Sequence, residues 1–372
     1  MTVKTSKTKK LLGGLMAFLA SLPAVAEPPM KRATEVGPEL VSDIKSDEHV
    51  VFFNTSGYFN QDSQRWHLPI HGWIYEPETS WFRAGAIAAA LKKKYGLTTS
   101  ESTQDNFDER VNLLISDNER GKRIVIALAG HHYLLPASQK NGHFKAEVVL
   151  PLAEDIAKGH ELIRYHAVTN VTDPRNFTGE VMLLSPNGRS IISDIDDTVK
   201  LSFVTDKKRL MDQTLLQDFE AVKGMADVYQ QWQAGGGSVH FVSSSPWYLY
   251  SPLTEFLQSS NFPWATLSLK ALRFRDRTLF KLFQPGTVTK PAAIEEILHA
   301  YPERTFVLVG DSGEQDPEVY ADISRRYPEQ IEKIYIRWIS EPPIDTARFD
   351  RDFAGLDKAK WQVFTSPNEI SL

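Results

Sequence analysis

Short apolar runs recur at residues 190–193, 238–242, 306–309 and 333–337, and helix-like segments near 209–233, 247–259, 290–300 and 316–326 alternate with them. Strands separated by helical crossovers pair in parallel rather than as hairpins. The alternation therefore predicts a mostly parallel sheet with helices on both faces. Such sheets bind ligands beyond the carboxyl ends of their strands, so the residues that follow each run are where chemistry is expected.

Acids and hydroxyls follow. The run Ser190–Ser193 empties into Asp194-Ile195-Asp196-Asp197-Thr198. Carboxylates two residues apart at a strand end repel each other unless a cation lies between them. That suits a carboxylate nucleophile working beside a divalent metal. A blander account is an acidic turn in which Thr198 and the aspartates cap a helix start. The run 238–242, after Gly235-Gly236-Gly237, ends in Ser243-Ser244-Ser245-Pro246. A hydroxyl there can donate to a phosphoryl oxygen, or simply make a polar turn. Lys290 precedes Pro291 and the amphipathic spacing Ile294, Ile297, Leu298, which puts an ammonium at a helix start, where cations are ordinarily solvated. The run Thr305–Gly310 releases Asp311-Ser312-Gly313-Glu314-Gln315-Asp316, further acid for a hard, oxygen-ligated cation such as Mg²⁺.

In this order the pieces resemble the four motifs of the haloacid dehalogenase superfamily of phosphohydrolases: DxDx(T/V), a strand-end Ser or Thr, a Lys and an acidic cluster. Within it, SDIDDTVK, FVSSSPW and GDSGEQDPEVY resemble the phosphatidate phosphatase catalytic domain of the actin-patch-associated, distantly lipin-related type, from about Gly188 to about Trp338. The segments Lys207-Lys208-Arg209-Leu210 and Val222-Lys223-Gly224-Met225 also look familial, without a chemistry that follows from their residues.

The resemblance implies an α/β haloacid-dehalogenase-like domain in which Asp194 attacks phosphorus and becomes an aspartyl-phosphate. Asp196 then protonates the leaving alkoxide and later deprotonates the hydrolytic water. Ser243 orients the phosphoryl oxygens, with the choice among Ser243, Ser244 and Ser245 open, and Lys290 neutralises charge. Thr198 braces the loop and Asp197 makes hydrogen bonds within it. Mg²⁺ is held by Asp194, the backbone carbonyl of Asp196 and Asp311, with Asp316 as a fourth contributor. The implied activity is a phosphatidate phosphatase or related lipid phosphomonoesterase. Alternatives are a phosphatase for soluble or protein phosphomonoesters and a catalytically silent lipid-phosphate binder, which would need no proton shuttle at Asp196. Little chain is left between the motifs for a globular cap, so a minimal cap and an open site are expected.

Residues 1–26 carry Lys4, Lys7, Lys9 and Lys10, an apolar run from Leu11 to Leu22 and the ending Ala24-Val25-Ala26. This reads as a signal peptide cut after Ala26, hence a periplasmic or secreted protein; an uncleaved anchor is the alternative, although the run is short for one. The absence of cysteine excludes lipoprotein attachment and disulfides. Removing the four leader lysines takes the formal charge from −5 to −9, which excludes a nucleic-acid partner held by phosphate contacts.

Residues 27–187 carry β-like runs at Val50–Phe53, Arg110–Ile115, Lys122–Leu128, Phe144–Val149, Leu162–Val168 and Gly179–Leu184, with turn signals at Asn141-Gly142 and Asn187-Gly188. One helical stretch, Phe82–Tyr95, interrupts them. A mainly-β, sandwich-like domain with a helical insertion is expected there, buttressing a phosphatase domain at 188–372 or docking it to a membrane or partner. His131-His132 lacks zinc-site spacing and is expected in a turn beside the strand 122–128. Lys270, Arg273, Arg275, Arg277 and Lys281 interleave with apolar residues up to Phe283. That alternation suits peripheral contact with anionic lipid headgroups, and equally a solvated edge strand.

Overall fold

The computed structural model describes residues 30–150, 161–270, 289–341 and 343–371. The leader, and the interleaved basic segment beyond Lys270, lie outside the described residues.

The first half builds one mixed sheet of ten strands: β1 (Thr34–Val36), β2 (His49–Phe53), β3 (Thr55–Asn60), β4 (Arg65–Glu76), β5 (Asp117–Asn118), β6 (Val125–Leu128), β7 (His131–Leu134), β8 (His143–Val149), β9 (Leu162–Ala167) and β10 (Thr178–Leu184). The order runs β1-β7-β6-β9-β10-β3-β4-β2, with β5 and β8 also on β4. The long strand β4 accepts β2 and β3 in succession along one edge and β8 along the other. The two ends of the sheet then meet, because Arg32 bridges Glu147 of β8 and the Ala33 amide donates to the Glu147 carbonyl at 2.9 Å. The expected pair of packed sheets is thus one sheet curled onto itself, enclosing Phe52, Leu68, Ile70, Ile126, Phe144 and Val181. The curl gives alternate side chains along the strands an interior to fill.

Two helices, not one, interrupt the strands: α1 (Trp81–Tyr95) and α2 (Glu101–Ile115). The stretch Arg110–Ile115, expected as a strand, is the last part of α2. Its buried residues Phe107, Val111 and Leu114 recur at helical spacing, and Ser100 caps the start through a reciprocal box with Thr103. The His131-His132 pair lies on β7 rather than in the turn before it.

The second half is a six-stranded, fully parallel sheet: β11 (Gly188–Ser193), β12 (Ser238–Pro246), β13 (Ala265–Lys270), β14 (Arg304–Asp311), β15 (Ile331–Arg337) and β16 (Trp361–Phe364), ordered β13-β12-β11-β14-β15-β16. The helices are α3 (Lys207–Leu215), α4 (Met225–Ala234), α5 (Tyr250–Ser259), α6 (Thr289–Ala300), α7 (Asp316–Arg326) and α8 (Thr346–Asp352). The single helical segment expected over 209–233 is two, α3 and α4. Period two along the strands serves both faces: Ile191, Phe241 and Val309 enter one core, Ile192, Val242 and Leu308 the other. The first of these cores also takes in Phe53, Trp73 and residues of α1 and α2, so the two halves share apolar packing. At their junction Phe53 stacks on Trp247 with ring centroids 4.2 Å apart, and the Asn54 amide donates to the Tyr250 hydroxyl at 2.7 Å.

Candidate active site

β12, β11 and β14 are neighbours in the sheet, so their carboxyl ends bring Ser243, Asp194 and Asp311 to one place. The Asp194 amide continues the ladder to the Val309 carbonyl at 2.9 Å. Beyond it the chain winds tightly: the amides of Thr198, Val199 and Lys200 all donate to the Ile195 carbonyl. Asp197 adopts a left-handed φ of 51°, and its carboxylate accepts from the amides of Ser202, Phe203 and Val204. The Thr198 hydroxyl lies 3.5 Å from Asp194 Oδ2.

Lys290, in the first turn of α6, is buried among carboxylates: its Nζ is 2.9 Å from Asp194 Oδ1, 2.5 Å from Asp316 Oδ1 and 3.2 Å from Glu314 Oε2. Burial alone would lower its pKa, but Asp194, Asp316 and Glu314 outweigh that and hold the ammonium charged well above its ordinary value. Asp194 goes the other way from an ordinary carboxylate. Burial pushes it well up, and the surrounding Asp316, Glu314 and Asp311 add to that against the single opposing charge of Lys290.

Asp194, Asp311 and Glu314 offer carboxylate oxygens that all lie within 4.8 Å of one another. Asp311 Oδ1 accepts from the amides of Gly313 and Glu314, whereas its Oδ2 is buried without a hydrogen-bond partner, as is Asp194 Oδ1 apart from the Lys290 charge. Buried, crowded, under-bonded carboxylates fit a hard divalent cation, because the one ammonium of Lys290 does not balance the negative charge of Asp194, Asp311, Glu314 and Asp316 gathered around it. Asp316, expected as a further ligand, stands beside this group of three, and its carboxylate accepts from Lys290 and from the Asp311 amide at 3.3 Å. It reaches them because residue 310 is glycine: a β-carbon there would sit 2.3 Å from Asp316 Oδ2. Glu314, first unremarked inside the acidic run, stands in the converging group.

Asp196 has a separate set of partners. Its Oδ1 receives the Ser202 hydroxyl at 2.6 Å and the Lys200 ammonium at 2.8 Å; its Oδ2 receives Ser245 at 2.8 Å and Ser243 at 3.3 Å. Burial would raise this carboxyl, but Lys200 and the hydroxyl donors prevail and hold it at about 2. Alternation along β12 puts Ser243 and Ser245 on the same side and leaves the Ser244 hydroxyl buried without a partner. Of the three serines, two therefore face the site. Lys200 and Ser202 escaped the sequence reading, although a lysine four residues after Asp196 within a turn is a local signal for such a pair.

Residues 189–338 match the family model described as phosphatidate phosphatase APP1, catalytic domain. Over that segment the chain is similar to this family. It is 30% identical over 184 residues to phosphatidate phosphatase APP1 of Saccharomyces cerevisiae, covering 48% of this chain and 31% of that protein. An uncharacterized protein of Schizosaccharomyces pombe is 29% identical over 257 residues, 68% of this chain and 39% of that one. The chain thus spans about a third of the length of these two relatives. A putative beta-phosphoglucomutase from Thermotoga maritima aligns at 10% identity over 49% of this chain and 96% of that one, with a TM-score of 0.28, too loose for any inference.

Proposed function

We propose that the chain is a Mg²⁺-dependent phosphomonoesterase of the phosphatidate phosphatase type, acting through an aspartyl-phosphate at Asp194. The observation that carries this reading is the position of Asp194: fully buried at a parallel-strand end, 2.9 Å from Lys290 and grouped with Asp311 and Glu314. Phosphatidate as substrate is carried over from the named yeast relative.

Asp194, Asp311 and Glu314 would hold the metal, with the Asp196 carbonyl as the further contributor implied by the motif. When bound, Mg²⁺ supplies positive charge against the phosphoryl oxygens and the crowded carboxylates. The protein does the rest. An Asp194 oxygen forms a bond to phosphorus as the bond to the leaving oxygen breaks, and Lys290 offsets charge on both groups. The leaving alkoxide takes a proton from Asp196. In the second step Asp196 takes a proton from water, whose oxygen bonds to phosphorus as the Asp194 ester breaks and phosphate departs. The contacts described hold Asp196 ionised, the form needed for the second step. Its acid form requires the Lys200 contact to loosen.

The test is phosphate release from phosphatidate vesicles and from a soluble phosphate ester, with Mg²⁺ and with a chelator. Turnover of phosphatidate that needs the metal and is lost in Asp194→Asn is expected. Turnover of soluble esters alone would reassign the substrate, and no turnover of either would leave a binding protein. An exported location is part of the same proposal and rests on residues 1–26 by sequence. The mature N-terminus is expected at Glu27, and a purified periplasmic or secreted protein that retains Met1 would contradict it.

A further inference from the structure

Helix α1 breaks the usual rule for a surface helix. Its inner side is held, with Leu91 and Tyr95 buried and Ala84, Ile87 and Ala88 packed on the core. Its outer side should then be polar. Instead Trp81 is 83% exposed, Phe82 is 73% exposed, and Gly85, Ala86, Ala89 and Ala90 continue the same exposed rows before the helix ends in Lys92-Lys93-Lys94. The sequence of α1 contains four cations and no acid, in a chain whose net charge is −5.

The basic character continues toward the catalytic residues. Gly96 caps α1 beside Lys208, whose Cε lies 3.7 Å from where a β-carbon on Gly96 would stand. Lys207, Lys208 and Arg209 open α3 and are exposed, and Asp206 spends its carboxylate capping that helix. The Arg209 guanidinium lies 3.5 Å over the Phe203 ring, next to Ser202, which bonds Asp196. Aromatic tip, methyl-surfaced helix face and cation cluster thus follow one another along α1 and on to the loop that carries the site.

We propose that the outer face of α1 docks the protein on an anionic lipid bilayer, with Trp81 and Phe82 entering the interface and the lysines at the end of α1 and the start of α3 contacting acidic headgroups. The charge selects this occupant: Arg83 beside the rings is paired with Glu78 and Asp117, but Lys92, Lys93 and Lys94 at the other end of the helix, with the exposed rings, complement an acidic, apolar-cored surface. The area argues against a second copy. Fifteen residues make a face about 22 Å long and about 10 Å wide, far below the about 800 Å² per partner of a stable interface. In relation to the proposed function this device would bring the site to a lipid substrate, and it rests on that reading only for its use.

The experiment is flotation of the intact chain with phosphatidylcholine vesicles containing phosphatidylglycerol, which offer negative charge and no phosphomonoester. Expected are binding that weakens with salt, and affinity reduced roughly tenfold or more in Trp81→Ala/Phe82→Ala and in Lys93→Glu/Lys94→Glu. Both variants should keep the wild-type circular dichroism, because the four side chains lie outside the core; the lysine variant, with acids at a helix C-terminus and without the Lys94 contact to the Tyr95 ring, should melt slightly lower. Wild-type protein that fails to float, floats equally on pure phosphatidylcholine, or floats unchanged after loss of the two rings would overturn the proposal. So would a dimer, by sedimentation, that the aromatic variant abolishes. Because these vesicles hold no substrate, failure to dock and failure to hydrolyse are read separately.

Discussion

Four donors surround the Asp196 carboxylate, and the strongest of them is a lysine that is itself buried. Removing one partner of such a pair leaves an uncompensated charge in a dry site. Lys200→Met is therefore expected to cost about 3–5 kcal/mol of stability, read by urea unfolding, and to impair turnover together with it. Stability within experimental error of the parent would mean that Lys200 does not hold Asp196 in solution. The acids themselves were legible in the sequence, because a strand end followed by Asp-x-Asp is a linear signal. Which acids converge was not. Glu314 converges with Asp194 and Asp311, while Asp316 packs closely against Gly310 and bonds Lys290. These are properties of folded backbone, absent from spacing.

At the scale of elements, β12 delivers the serines and then runs directly into Trp247, whose ring is stacked on Phe53 from the other sheet. Phe53 is completely buried. Phe53→Ala is expected to destabilise the protein by about 3–5 kcal/mol and to lower kcat, since the Trp247 contact that anchors the end of β12 is lost. Unchanged kcat alongside the lost stability would confine Phe53 to packing. The parallel strands near the motifs were readable as uninterrupted apolar runs. The longest strand, β4, was not, because Pro69 and Gly72 within RWHLPIHGWIYE read as breakers. Its pairing with four other strands on two edges overrides that local signal. Helix α2 was mistaken in part for a strand because Val111–Ile115 is a short apolar run, ambiguous without the upstream Phe107 and the Ser100 cap.

Across the whole molecule, the shared core and the junction at Phe53, Trp247 and Tyr250 tie a curled β-sheet to a parallel one, so the two halves are expected to unfold together. Two histidines report this with pH. Burial lowers His143, near the junction, to about 4, and His240, inside the parallel sheet, to about 3. Both remain neutral in the fold where the unfolded chain already binds protons below about 6.5. Stability should therefore be level with respect to these groups above about pH 7 and decline as pH falls from about 6.5 toward 4, and His240→Asn should flatten part of that slope. A slope unaltered by the substitution would assign the decline to other groups.

The most direct test of the central chemistry is to quench the wild-type protein during turnover of phosphatidate with Mg²⁺ and locate covalent phosphate by peptide mass spectrometry. Phosphate on the peptide at Asp194, absent from Asp194→Asn, is the expected result. Phosphate on another residue, or full turnover by Asp194→Asn, would contradict it.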